Sequence, residues 1–373
     1  MATLYLHIGH GKTGTSWIQS SLHLSSNELL SYGIVYPERP DVNIINSHTI
    51  TSGNTQELLK SKSIFDSTLA KYHPNNGNSL LFSSEFLFRQ IINSNAEEFI
   101  EEVSSNNGFN KVKILLFIRN PISSAASVWQ QRIKRMGVYQ LPLTELHNNS
   151  EISFDKIFNV KKLLDRFSNL DSVELTVKNY SRCKNHLLEE VASWLGVPNK
   201  IIQRPSVSLI NRSMTYSELF MQQRLNSILG SSGKLFSDPL CEQFPNITPS
   251  FILPPINVQK AIWEKVSPTI EQINKLLPEV HQYQCDIQSP EPTPKQLSFS
   301  NEQINLIAES LGGEILRLRK AQEQSQQIIN NLRKDIVDNH SELEKPMKIF
   351  KPTRIINSLV KRIKQIISQR MRK

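Results

Sequence analysis

Residues 4–17 of the chain read LYLHIGHGKTGTSW, and no other stretch narrows the choice of fold as far. Leu4, Leu6 and Ile8 alternate with more polar positions, the pattern of a short strand with one apolar face. Gly9 and Gly11 then permit a tight turn and a close approach of backbone to a ligand. Lys12 sits within that turn; Thr13, Gly14, Thr15 and Ser16 follow, and a helix starts at Trp17. Strand, glycine turn with a cation and hydroxyls, and helix N-terminus together make a cradle for phosphate. Unpaired backbone N–H groups and the positive end of the helix dipole face the anion, and Lys12 adds a point charge. The spacing is not that of a nucleoside triphosphatase loop, which needs G-x-x-x-x-G-K-[ST]. Lys12 precedes Gly14, and no glycine stands five residues before Lys12.

A second strand signal is VKILLFI at 112–118, ended by Arg119-Asn120-Pro121, with a helix from about Ser123. In a nucleoside triphosphatase such a strand would usually end in an acidic residue that helps to hold Mg²⁺. An Arg there suits a metal-free phosphate site, because its guanidinium can fork onto phosphate oxygens. Ser127 offers a hydroxyl from the first turns of the helix. Further strands are expected at 33–37, 79–83 and 173–177, the last leading to Asn179-Tyr180. Helices are expected at about 17–31, 96–105, 154–170, 184–195 and 217–229, the fourth closed by Gly196. Residues 41–79 read as polar and irregular. The proline-rich stretch 237–256 reads as surface, a lid or acceptor loop. Strands alternating with helices, and phosphate groups on the loops after strands, predict an α/β fold with an open parallel sheet covered on both faces.

Lys12-Thr13-Gly14-Thr15-Ser16-Trp17 resembles the 5′-phosphosulfate loop of sulfotransferases that use 3′-phosphoadenosine 5′-phosphosulfate, whose cytosolic members carry Lys-Ser-Gly-Thr-Thr-Trp there. Arg119 followed by Ser127 resembles the 3′-phosphate motif of the same superfamily, and the strand–Tyr180–helix–Leu-Gly unit resembles one in which Tyr lies near adenine. The resemblance covers roughly residues 1–230. It implies a three-layer, P-loop-like fold and transfer of a sulfuryl group to a hydroxyl or amine. It also implies a donor site made of Gly11, Lys12, Thr13, Gly14, Thr15, Ser16, Trp17, Arg119, Ser127 and Tyr180. Within it Thr15 and Ser16 would bind the 5′-phosphate, Trp17 would stack on adenine, and Lys12 would stabilise the leaving phosphate. Sulfotransferases take the acceptor proton with a His or a Glu. By alignment of the strand at 80–84 that position falls on Glu85, which would need partial burial to raise its pKa toward neutrality. His48 is the main rival, since imidazole titrates near neutrality unaided, and Glu38 is a third. No metal is needed and no ligand cluster for one is visible. The acceptor is open among a saccharide, a glycolipid and a small metabolite. Two other readings stand beside this one: a P-loop-type kinase or NTPase, and a non-catalytic nucleotide-binding scaffold.

The chain divides into a catalytic domain (1–285), a proline-rich linker (286–298), a helical segment (299–345) and a basic amphipathic tail (346–373). The net charge of +9 lies at that end of the chain: from Lys345 onward there are ten Lys and Arg and no Asp or Glu, which leaves residues 1–344 near −1. A nucleic-acid partner is therefore not expected. The tail suits an anionic membrane surface or a helix docked on the body or on another subunit. Ile304, Ile307, Leu311, Leu318, Ala321, Ile328 and Leu332 fall near heptad spacing, interrupted by Glu314, Ser325 and Asp335. That pattern favours a helix packed on the body or on a partner, including a homo-oligomer, over a long stable coiled coil. Cys183, Cys241 and Cys285 are too few and too scattered for a disulfide framework. No signal peptide or membrane-spanning run is visible, so the expected location is the cytoplasm, with the tail able to touch the inner membrane face.

Overall fold

The computed structural model describes residues 2–37, 53–72, 77–94, 96–102, 108–140, 142–148, 154–206 and 212–344. His48, Glu38 and the basic tail fall outside the described residues. Five strands form one all-parallel sheet: β1 (Ala2–Ile8), β2 (Ile34–Val35), β3 (Ser79–Ser84), β4 (Phe109–Ile118) and β5 (Val173–Asn179). Their order is β2-β3-β1-β4-β5.

Alternation along each strand feeds two cores. Leu4, Leu6 and Ile8 of β1 join Leu80 and Phe82 of β3 and Ile114, Leu116 and Ile118 of β4 on one face. Tyr5, Leu81, Leu115 and Phe117 face the other way. The first face is covered by α4 (Glu85–Asn93), α6 (Pro121–Met136), α7 (Asp155–Phe167) and α12 (Ile256–Asn274). The second is covered by α1 (Thr15–Leu24), α2 (Ser26–Ser31) and α9 (Leu187–Leu195). The result is a three-layer α/β architecture of the P-loop-like kind, with β1 and β4 side by side. Beyond β1 the chain turns to α1 on one face, and beyond β4 to α6 on the other. That reversal opens a crevice at the carboxyl ends of the two strands, where open α/β sheets hold their ligands.

Several expected elements differ. The helix expected over 17–31 is two, broken at Ser25. The Ser25 hydroxyl donates to the Ser21 carbonyl (2.7 Å) and accepts the backbone N–H of Gln203 (2.7 Å), so it competes with the helix ladder. Within 41–79, α3 (Lys62–Tyr72) forms although only Phe65 and Leu69 are buried on it. α4 begins directly at the end of β3 and is capped by Ser84, which accepts the N–H of Phe86 (3.2 Å). α5 (Ala96–Glu101) follows. Within 237–256 lies α11 (Ser237–Gln243), which buries Leu240 and Cys241. α12 buries Val258, Ile262, Val266, Ile270 and Ile273, one unbroken stripe down a helix. A single turn, α8 (Tyr180–Cys183), leads from β5 towards α9, and α10 (Tyr216–Leu229) opens with a capping box of Thr215 and Glu218.

The chain separates into two compact units, residues 1–310 and 311–373. The last described helix, α13 (Asn301–Glu344), begins in the first unit. There Leu306 joins Leu225, Phe236 and Leu240 in a small apolar cluster. Gln303 donates to the Glu218 carboxylate (2.9 Å). The stretch before α13 is tied to the same unit: the Gln259 amide donates to the Gln288 carbonyl (2.7 Å), and the N–H of Ser298 donates to the Ser217 hydroxyl (3.0 Å). From Leu311 the helix forms the described part of the second unit. Among the described residues no helix is long and apolar enough to cross a membrane.

Candidate active site

The loop after β1 is built from residues that tolerate left-handed backbone. Gly11 has φ +47°, Lys12 +67° and Gly14 +73°. Lys12 is the one non-glycine residue with positive φ among those described, a conformation that costs an L-residue about 1–2 kcal/mol. Such strain persists only where the surroundings hold it, and it clusters at functional sites. Here Arg119 supplies one restraint: its Nη1–H donates to the Lys12 carbonyl (2.9 Å) from the end of β4.

The loop is also hemmed in sterically. A Cβ on Gly9 would stand 2.8 Å from the Thr15 methyl carbon and 3.0 Å from the Glu85 Cα. The Gly9 N–H continues the sheet by donating to the Ser84 carbonyl (3.1 Å). A Cβ on Gly14 would meet the Leu187 side chain at 2.6 Å and the Tyr180 ring at 3.2 Å. Gly14 is the N-cap of α1, and no side chain caps that helix. No acidic residue sits in its first turn. Its terminal N–H groups therefore suit an external anion, which the helix dipole also favours.

The expected donor-site residues divide by what their side chains do. Thr13 is fully buried, and its hydroxyl has no hydrogen-bond partner among the described residues. Ser16 and Trp17 are half-buried at the helix start, and Trp17 and Tyr180 both lie against the core of the second face. Thr15 donates its hydroxyl to the Glu85 carboxylate. Glu85 therefore lies directly beside the N-terminus of α1. It is exposed, whereas the expectation from sequence is partial burial.

Arg119 is the electrostatic centre of the crevice. Its Nε–H donates to the Ser123 hydroxyl (3.1 Å), and its guanidinium lies 5.8 Å from the Tyr180 ring centroid. Burial pushes its pKa down and the Tyr180 hydroxyl pushes it back up; an Arg stays cationic at neutral pH regardless. Among the described residues no carboxylate pairs with it. Asn120 fixes this strand end by accepting the N–H groups of Ile122 (2.9 Å) and Ser123 (3.4 Å) and donating to the Gln284 carbonyl (3.0 Å). Asn179, its neighbour across the sheet at the end of β5, does the same work with Ser181 (3.0 Å) and Gln282 (2.9 Å).

Ser127 shares a small cleft with Lys12, and the other walls carry Gln130, Gln131, Lys134 and Arg212. Sequence reasoning missed these four. Ser127, Gln130, Gln131 and Lys134 stand at i, i+3, i+4 and i+7, so they form one polar face of α6, a pattern readable without a structure. Arg212 is fixed by a buried bidentate pair with Glu218 (2.7 Å for each bond). Lys134 and Arg135 both reach Asp238, at 3.3 and 3.4 Å. A groove of about 380 Å³ runs along α4, lined by Gln56, Glu57, Lys60, Phe86, Arg89 and Asn93 among others.

Together these features set a strained glycine loop, an uncapped helix start and the Arg119 guanidinium at the switch point of a parallel α/β sheet. No family model matches the chain, and no curated protein matches it. Among solved structures it is similar to a sulfotransferase from Alicyclobacillus acidocaldarius, at 16% identity and a TM-score of 0.30, over 60% of this chain and 92% of that one. At that level of similarity the functional reading rests on the site itself.

Proposed function

We propose that the chain is a sulfotransferase that moves a sulfuryl group from 3′-phosphoadenosine 5′-phosphosulfate to an acceptor hydroxyl or amine. The observation that carries the reading is the meeting of the strained Lys12 loop with Arg119, a cation that has no carboxylate partner among the described residues. Lys12 through Trp17, which resemble the phosphosulfate loop, are the residues wrapped around the uncapped start of α1. In this reading the backbone N–H groups of 13–16 and Lys12 hold the 5′-phosphosulfate, Arg119 and Ser127 take the 3′-phosphate, and Trp17 and Tyr180 flank the adenine.

The transfer is an in-line displacement with charge spread over equatorial oxygens, as in phosphoryl transfer. The acceptor oxygen or nitrogen bonds to sulfur while the bond from sulfur to the phosphate oxygen breaks. The electron pair leaves with the nucleotide, where Lys12 stabilises it, and the acceptor proton passes to Glu85. The groove on α4 includes Phe86, the residue after Glu85. Its amide, carboxylate and guanidinium edges around the exposed Phe86 ring suit a polyhydroxyl acceptor, and a saccharide is the acceptor class we favour.

Thermal stabilisation tests the donor half directly. The product nucleotide, 3′-phosphoadenosine 5′-phosphate, should raise Tm in the absence of acceptor, and Mg-ATP should not. Stabilisation by Mg-ATP alone would overturn the reading in favour of an NTPase or kinase.

A further inference from the structure

From Leu311 onward α13 presents a stripe that no element covers among the described residues of its own unit. Ile315, Leu318, Ile329, Leu332 and Ile336 are each between 44% and 62% exposed. Their spacing, with Leu311, Gln322 and Ser325, is 4-3-4-3-4-3-4, an unbroken heptad seam of almost four repeats. Set in that register, position d holds Leu311, Leu318 and Leu332, and position a holds Ile315, Ile329 and Ile336. Gln322 at a and Ser325 at the following d form two adjacent polar layers in the middle. Glu314 and Asp335 fall at flanking g positions outside the seam and do not interrupt it.

We propose that this segment pairs with the same segment of a second copy of the chain, as a parallel two-stranded coiled coil about 39 Å long. Three observations carry it. β-branched residues at a with Leu at d favour two strands in parallel, and a polar residue at one a position, here Gln322, sets register. The charges select the direction. In a parallel pair each g residue meets the e residue five positions on in the partner, which places Glu314 opposite Arg319. The antiparallel register that also aligns Gln322 with Ser325 places Glu314 near Asp335 instead, acid beside acid. Within one chain Glu314 pairs with Arg317 one turn on (2.6 Å), an exposed pair that can rearrange. Finally, a lone helix is weak here. Gly312 and Gly313 have nothing within 4 Å of where a Cβ would stand, and each costs a helix about 1 kcal/mol relative to Ala. Burial of the stripe offsets that cost.

Sedimentation equilibrium of the full chain tests the proposal. The expected result is a dimer that becomes a monomer in the Leu318→Asp/Leu332→Asp double variant, with the Tm of the first unit unchanged. Glu314→Arg or Arg319→Glu alone should raise the dimer dissociation constant about tenfold, and the two together should restore it. For direction, Leu332→Cys in a Cys285→Ser background should form an interchain disulfide in near-complete yield, because parallel d residues face each other. A monomer across the concentration range, a trimer, or a dimer that survives the double Asp variant would each overturn the proposal. A dimer in which Leu332→Cys forms no cross-link would overturn its parallel direction.

Discussion

Replacing Lys12 by Gly should make the protein more stable and inactive at once. The residue sits at φ +67°, where a side chain costs about 1–2 kcal/mol that glycine does not incur. Glycine also gains unfolded-chain entropy, which takes back about 0.4–1 kcal/mol. The net expectation is stabilisation by about 0.5–1 kcal/mol. Lys12→Ala keeps the strained Cβ and loses the same ammonium group, so it isolates the backbone effect: Ala should not stabilise, and Gly should exceed Ala by about 1 kcal/mol. Both variants should lose orders of magnitude in kcat, because the ammonium acts on charge that develops as the nucleotide leaves. Urea unfolding followed by fluorescence and by circular dichroism, with coincident transitions, measures the first quantity. Release of 3′-phosphoadenosine 5′-phosphate measures the second. Equal stability of the Gly and Ala variants would show that the loop relaxes without cost, and that the left-handed Lys12 is not stored strain. An active Lys12→Gly enzyme would remove Lys12 from the chemistry.

Arg119→Ala should weaken donor binding by ten- to a hundredfold or more, from loss of a charge-assisted hydrogen bond worth about 1.5–3 kcal/mol. It should also narrow the preference for 3′-phosphorylated over unphosphorylated nucleotide; full retention of that preference in calorimetric titrations would displace the 3′-phosphate from Arg119. Glu85→Gln should depress kcat at saturating donor far more than His48→Ala does. If Glu85→Gln stays active while His48→Ala is dead with donor affinity intact, the base is His48. His7 is buried in β1 and burial pushes its pKa down to about 4, against about 6.5 when unfolded. The folded state therefore holds it neutral, and stability is lost as pH falls through the window from about 6.5 to about 4. Between about pH 7 and pH 5 the loss from this one group is about 2 kcal/mol, so His7→Gln should show a pH dependence shallower by that amount, and an equal change in urea-unfolding free energy between the two pH values for variant and parent would refute it.

What could be read from the sequence follows from which interactions are local. The Lys12 loop was legible because a strand end, glycines at left-handed positions and the hydroxyls of a helix start lie within fourteen residues. β4 was legible because VKILLFI is apolar on both faces, as a central parallel strand must be. Other features depend on distant partners. Ser25 breaks a helix through the N–H of Gln203, which no local pattern announces. α4 follows β3 without a turn, so EFLFRQIIN blurs into the strand's own apolar run; its period emerges only when Leu87, Phe88, Ile91 and Ile92 are seen to share a face. The cations of the cleft were hidden differently. Arg212 looks like one charge among many until Glu218 is found to hold both ends of its guanidinium.

The site itself depends on strand order, which composition and periodicity do not encode. Sequence shows where each parallel strand ends, and residues at those ends must share one edge of the sheet. It does not show which ends are neighbours. The order β2-β3-β1-β4-β5 sets β1 between β3 and β4, so the Gly9–Gly14 loop has Glu85 on one side and Arg119 on the other. An exchange of β3 with β5 would have left Arg119 beside the loop and put Asn179-Tyr180 where Glu85 stands. The cradle and its guanidinium would survive that exchange, and the carboxylate next to Thr15 would not. In the proposed reaction, donor binding would follow from one strand pair, β1 with β4, and proton transfer through Glu85 from the other, β1 with β3. A change that loosens only the β1–β3 edge should then cost kcat before it costs donor affinity. Ser83→Ala is the change to make, since its hydroxyl bonds His7 across that pair at 2.7 Å. Equal losses in kcat and in affinity for 3′-phosphoadenosine 5′-phosphate would show that the two halves of the crevice do not divide in this way.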